Sequence, residues 1–185
     1  MTRENQVTVE ELLAGLNKPM PCSDEAERGA LSCFMQEPQR LIACLHATPP
    51  ALFYHDVSRE IFCTMVDEVT AGRPIDPISL THRLRNLGRL EFVGGAAAVS
   101  DVYTFVPIPS HFHYYLTVLR ELYGQRKHIE AHARSLNFLF QARDGEVAET
   151  LDTIKGLMEE AGKMPGQLLK SVSLREAIDP LLAEI

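Results

Sequence analysis

Two histidines four residues apart form the pattern in this chain that is closest to a metal site. His128 and His132 would lie on one face of a helix, a spacing that zinc proteases use. Those sites also need a glutamate directly after the first histidine. Here Glu130 follows His128 by two places, so one further residue rotates it about 100° away. A solvated helix face accounts for this pattern, and a small metal-dependent helical enzyme remains a third hypothesis for function.

Other catalytic motifs are missing from the sequence. It contains no G-x-x-x-x-G-K-S/T loop, whose backbone amides would cradle phosphates, and no G-x-S-x-G turn for a nucleophilic serine. Asp24, Glu25 and Glu27 fall where a helix begins, so the helix dipole explains them better than acid–base catalysis does. We therefore predict no catalytic residue, no cofactor and no metal ion within this chain.

The distribution of charge argues against strong direct binding to nucleic acid. The net charge is −7, whereas a dominant grip on phosphates needs clustered cations that displace counterions. Five arginines do fall near one another, at Arg59, Arg73, Arg83, Arg85 and Arg89. No aromatic residue alternates with them as a base-stacking platform would require. We predict that they form salt bridges with the many acidic residues or favourable contacts with a helix C-terminus, rather than a nucleic-acid groove.

Composition is typical of a soluble globular protein. The 185 residues are 45% hydrophobic and 23% charged, and neither a membrane span nor a signal peptide is visible. We therefore expect a cytoplasmic protein. Four isolated cysteines, none in a C-x-x-C pair, are predicted to be buried thiols: Cys22, Cys33, Cys44 and Cys63.

Local signals predict an all-α fold, in which a compact bundle of short helices is followed by a long protruding antiparallel hairpin. Ser23 and Asp76-Pro77 are typical helix starts, while Gly88 and the Gly94-Gly95 pair mark a stop and a start. We assign residues 1–22 to a flexible arm, 23–109 to the bundle, 110–162 to the hairpin, and 163–185 to a linker with the start of a linker helix. Within the arm, residues 7–16 are either a short amphipathic helix or a disordered tail.

An apolar stripe with heptad spacing runs along both arms of the hairpin. Its members are Tyr115, Leu119, Leu122, Ile129, Leu136 and Phe140 on the first arm, and Val147, Leu151, Ile154 and Met158 on the second. Ser110 is the predicted cap, and the predicted turn is at Asp144-Gly145. Because a helix of about 33 residues would reach about 50 Å, we expect another chain to cover its outer part. A hairpin buried in the monomer's own core is the alternative.

Arg126 interrupts the stripe. A guanidinium in an apolar seam must meet a carboxylate or carbonyl groups, because an unpaired buried charge is costly. Glu130, or an acidic residue of another subunit, is the predicted partner. The alternative is that the side chain extends to the surface.

Several short stretches, in order, resemble the N-terminal domain of DnaB-type replicative DNA helicases. They are residues 23–31 (SDEAERGAL), 53–54 (FY) with 59–62 (REIF), 72–76 (GRPID) with 84–88 (LRNLG), 94–97 (GGAA) and 115–126. Each motif alone is short, but their order and spacing from residue 23 to about residue 158 make the resemblance specific.

The resemblance implies a scaffold rather than a catalyst. In that family the N-terminal domains form a trimer of dimers, a collar on the hexamer, in which hairpins pair between subunits and primase and loader proteins are recruited. The family's ATPase domain has no counterpart in this sequence, and residues 174–185 look like its linker helix. The alternative is a short phage- or plasmid-type protein of the same fold that regulates a host helicase.

Overall fold

Seven α-helices and two short 3₁₀ turns, without a strand, make up the described part of the chain. The computed structural model describes residue 15 and residues 18–106, 111–143 and 145–163. The helices are α1 (Asp24–Gln36), α2 (Pro38–Cys44), α3 (Asp56–Thr70), α4 (Pro77–Asn86), α5 (Gly95–Thr104), α6 (Phe112–Gln141) and α7 (Val147–Ala161). The 3₁₀ turns, Leu45–Ala47 and Pro50–Leu52, lie between α2 and α3. The all-α prediction is confirmed, whereas Ser110, Asp144, residues 164–185 and most of the arm lie outside the described residues.

Side-chain caps begin two of the described helices, α1 and α4, at the predicted residues. The Ser23 hydroxyl accepts a hydrogen bond from the Ala26 amide at 3.1 Å, and one Asp76 oxygen accepts from the amides of Ile78 and Ser79 at 2.9 and 3.0 Å. Gly88 follows α4 with φ 67°, a left-handed conformation that is cheap only for glycine. These bonds satisfy helix-end groups that would otherwise lack partners.

Four phenylalanines connect the long helix to the bundle. The Phe34 ring of α1 lies 5.9 Å from that of Phe62 in α3 and 5.2 Å from that of Phe112, while Phe53 and Phe62 are 4.7 Å apart. All four are buried. Because Phe112 is the first residue of α6, its ring anchors the start of the long helix to the core of the bundle.

The buried Ser32 and the half-buried Gln36 hold the chain where it leaves α5. The Ser32 hydroxyl donates to the Tyr103 carbonyl at 2.9 Å and accepts from the Val106 amide at 3.2 Å. The Gln36 side-chain amide donates to the carbonyls of Tyr103 and Val106 at 2.9 and 2.6 Å. The segment that leads toward the hairpin is therefore tied to α1 before the long helix starts.

Helix α7 runs back along α6. Leu157 and Ala161, near its end, line the same small crevice as Lys127 and Ala131 in the middle of α6. Ala131 and Ala161 are buried, and such small side chains let the two helices approach closely. Gly145, with φ 92°, lies in the turn between them, as predicted. No helix among the described residues is long and apolar enough to cross a membrane.

The cysteine prediction is only partly right. Cys33 is buried and Cys44 and Cys63 are half-buried, but Cys22 is exposed. Cys22 lies just before the Ser23 cap, outside the helical core, and none of the described helices covers it.

Candidate assembly surface

The first half of the stripe packs on the bundle of its own chain. Leu119 is buried in the core, and the partly buried Tyr115 packs against the core residues. The Tyr115 ring also lies so close to Gly29 of α1 that a Cβ there would be 2.8 Å from ring atoms. Leu122 and Ile129 are half-buried. This half of the hairpin packs on its own bundle. The alternative hypothesis, a hairpin buried in the monomer's own core, predicted this for the whole stripe.

Arg126 is buried and bonded to backbone carbonyls. Its guanidinium donates to Pro21 at 2.9 Å, to Ala51 at 3.1 Å and to Leu52 at 2.8 Å. The prediction that the guanidinium must meet a carboxylate or carbonyl groups is confirmed for carbonyls, three of which lie within reach of its fork-shaped donors. Glu130, the partner named within this chain, forms no ion pair with it among the described residues. The surface alternative is wrong. Burial lowers the pKa of Arg126, and the nearby carboxylate of Glu27 opposes that change.

The rings of two tyrosines flank this arginine. The guanidinium carbon of Arg126 lies 5.5 Å from the centre of the Tyr54 ring and 5.8 Å from that of Tyr123. Distances below about 6 Å are typical of cation–π attraction, which partly replaces the lost hydration of the charge. Arg126 thus joins α6, the turn before α3 and the chain that precedes α1.

Glu27 has a structural role that the sequence analysis did not predict. Its carboxylate is fully buried and accepts from the Tyr54 amide at 2.7 Å, and it lies 3.0 Å from Nδ1 of His55. We assigned this residue to the helix dipole. A signal was available, since Glu27, Leu31 and Phe34 recur at steps of four and three, which places the acid on the buried face of α1.

The hairpin's distal half exposes large apolar side chains to solvent. The exposed fraction is 46% for Leu136 and 80% for Phe140 on α6, and about half for Val147 and Leu151 on α7. Ile154 and Met158 are half-buried beside α6. Phe138 and Leu139 are also more than two-fifths exposed, and the stripe missed them because they lie off its heptad positions. We name Leu136, Phe138, Leu139, Phe140, Val147 and Leu151 the apolar tip.

Neither remaining candidate site is assembled by the fold. His132 Nδ1 lies 2.7 Å from the carbonyl oxygen of His128, a contact within the helix. Across the described ranges, no three His, Cys, Asp or Glu side chains come together as a metal site would require. The arginine cluster is largely paired, as predicted: Arg73 and Arg83 both meet Glu68, at 2.7 and 3.1 Å, and Arg89 lies 3.6 Å from Glu60.

Comparisons with known proteins agree on one family. A family model described as the DnaB-like helicase N terminal domain matches residues 19–121. The replicative DNA helicase DnaB of Geobacillus stearothermophilus is 29% identical over 143 residues, which are 77% of this chain and 30% of that protein. The replicative DNA helicase DnaC of Bacillus subtilis (strain 168) is 29% identical over 149 residues, 80% of this chain and 31% of that protein. The chain therefore spans less than a third of these relatives.

Solved structures show the same fold. The crystal structure of the N-terminal domain of DnaB helicase from Mycobacterium tuberculosis has a TM-score of 0.70 at 22% identity and covers 77% of this chain and 99% of its own. A DnaB-like replicative helicase, solved in a study of its interactions with primase, has a TM-score of 0.62 at 18% identity over 88% of this chain and 34% of its own. Since the family model alone covers more than half of the sequence, the chain belongs to the family of DnaB-like helicase N-terminal domains.

Proposed function

We propose that this chain is the assembly and collar module of a hexameric replicative DNA helicase. Two copies pair through their hairpins, three such pairs form the collar, and the collar recruits a primase or a helicase loader. The chain performs no catalysis, and in a complete helicase a separate ATPase domain would supply it. Family membership supports the proposal, as does the interaction with primase named for a structural relative.

The exposure of the apolar tip is the main support for hairpin pairing. Six large side chains there are each at least 41% exposed, on a hairpin whose basal half is already packed on the bundle. Soluble monomers rarely leave so many large apolar side chains exposed in one region, and such regions mark contact sites. A second copy can cover one side of the apolar tip through a symmetric contact, which is the commonest arrangement in homo-oligomers.

A charge placed in the apolar tip tests the proposal. In Leu136→Asp, pairing would bury a carboxylate without a partner, so the interface should weaken by several kcal/mol. Multi-angle light scattering should show the wild type as a dimer or larger species and the variant as a monomer, with the same helical circular dichroism. The matched control, His132→Asp, changes an exposed polar position of α6 and should leave the mass unchanged.

Two results would contradict the pairing. A wild type that is monomeric at high micromolar concentration has no such interface. Unfolding of Leu136→Asp would show instead that this part of the stripe supports the monomer itself.

A further inference from the structure

A groove lies at the base of the hairpin, away from the apolar tip. Its volume is about 670 Å³, within the range of binding pockets. Pro49, Pro50, Ala51 and the rings of Tyr54 and Tyr123 form an apolar floor, and 38% of Tyr54 is exposed. The groove is thus a preformed surface that the proposed hairpin pairing does not use.

The N-terminal arm leaves the folded body at the edge of this groove. Met20 lines the groove, and Arg126 fixes the next residue by donating to the Pro21 carbonyl at 2.9 Å. Leu16 precedes Met20 by four residues, so even a fully extended chain holds it within about 14 Å of the groove. The arm is therefore attached to the folded body beside the groove.

The arm and the groove are chemically complementary. Residues 7–16 carry apolar side chains at helical spacing, namely Val9, Leu12, Leu13 and Leu16, with two acids beside them, Glu10 and Glu11. The groove is lined by three cations, Arg59, Arg126 and Lys127, against one acid, Glu130. Arg59 pairs with Asp56 at 2.9 Å, and Arg126 is bonded to three carbonyls. Lys127 is therefore the groove cation that has no described hydrogen-bond or ion-pair partner. An acidic apolar segment is what this surface fits.

We propose that residues 7–16 dock into the groove of their own chain, with the leucines on Tyr54 and Tyr123 and the acids toward Lys127. A short tether gives an effective concentration in the millimolar range. An intrinsic dissociation constant below about 1 mM therefore keeps the groove mostly occupied. The inference is independent of hairpin pairing, since its residues on α6 lie near the middle of that helix and none of them belongs to the apolar tip.

Fluorine NMR of the full chain labelled with 3-fluorotyrosine tests the docking. The chain has five tyrosines, and only Tyr54 and Tyr123 line the groove. In Leu12→Asp/Leu13→Asp, the signals of these two should each move by more than a line width, while those of Tyr103, Tyr114 and Tyr115 stay in place. The matched control, Asn5→Asp/Gln6→Asp, adds the same charge outside residues 7–16 and should change nothing.

Charge reversal tests the orientation. Lys127→Glu and Glu10→Lys/Glu11→Lys should each move the two groove signals toward the undocked positions, and combining the three changes should restore them. The proposal is overturned if Tyr54 and Tyr123 do not respond to the leucine variant, if all five tyrosines respond equally, or if reversal shows no rescue. Adding unlabelled wild type to the labelled leucine variant should have no effect, because each arm docks on its own chain. Recovery of the wild-type signals would instead show that the arm docks on a second copy.

Discussion

The guanidinium of Arg126 donates a 2.8 Å hydrogen bond to the carbonyl of Leu52, joining the long helix to a turn 74 residues earlier. The same side chain also holds the carbonyls of Ala51 and Pro21. One side chain at the base of the hairpin therefore fixes two other segments of backbone, and its removal should be costly.

We predict that Arg126→Met lowers the free energy of unfolding by about 2–4 kcal/mol, because buried carbonyls lose their donors. Arg126→Lys should recover only part of this, since one ammonium cannot reproduce the fork geometry. Urea unfolding of the full chain measures the change. Arg134→Met, at an exposed position of the same helix, should cost less than about 0.5 kcal/mol. Equal losses in the two variants would contradict the assigned role.

Gly29 should not tolerate a methyl group. Alanine normally stabilises a helix interior by up to about 1 kcal/mol over glycine, yet here its Cβ would lie 2.8 Å from the Tyr115 ring. We expect Gly29→Ala to be destabilising by about 1–3 kcal/mol, as overpacking usually is. Gly156→Ala on α7, where nothing lies within 4 Å of the added Cβ, should instead be stabilising.

A double-mutant cycle with Tyr115→Leu isolates the contact. Gly29→Ala should lower the free energy of unfolding clearly less in the Tyr115→Leu background than in the wild type. If the two costs are additive, the close approach of α1 and α6 does not limit residue 29.

Acid should weaken the Glu68 network. Hydrogen bonds from Arg73 hold the pKa of Glu68 below its ordinary value of 4.5. The ionised Glu68 carboxylate therefore stabilises the fold at pH values above 4.5. This stabilisation is lost as the pH falls through the pKa that Glu68 has in the folded state. Glu68→Gln should be less stable than wild type at pH 7 and should lose less stability between pH 5 and 3. Urea midpoints across that range give the comparison, with exposed Glu149→Gln as the control. Parallel profiles for wild type and Glu68→Gln would contradict the pairing.

The four thiols should react in a clear order. Cys22 is exposed, whereas burial raises the pKa of Cys33 to about 11 and also raises those of Cys44 and Cys63. Because the thiolate is the reactive form, Ellman's reagent at pH 8 should give one fast equivalent, and Cys22→Ser should remove it. Denatured protein should give all four equivalents at once. A fast phase that persists in Cys22→Ser would contradict this order.

Features encoded by neighbouring residues were predictable from the sequence. Ser23, Asp76 and Gly88 act within one helical turn of themselves, so their roles as caps and stops follow from residue type and order. The partners of Arg126 and Glu27 lie 27 or more residues away, and no local spacing reveals which carbonyl or amide will be near.

The stripe shows the same limit. Heptad spacing predicts that Leu119 and Phe140 share an apolar face, but it does not say what covers that face. Leu119 is buried by its own bundle and Phe140 is 80% exposed, because the bundle reaches only the basal part of α6. The burial of a periodic position depends on where the neighbouring elements end.

Because α6 is anchored to the bundle only over its N-terminal half, a small tilt there becomes a large displacement at the apolar tip. From Arg126 to Gln141 the helix extends roughly 22 Å beyond the last of its bonds to the bundle, at 1.5 Å per residue. A tilt of about 5° at the base then displaces the end by about 2 Å, half the width of a side-chain contact. Loosening Arg126 or crowding Gly29 would therefore misalign a distant surface without touching it, so the precision of assembly is set in the bundle.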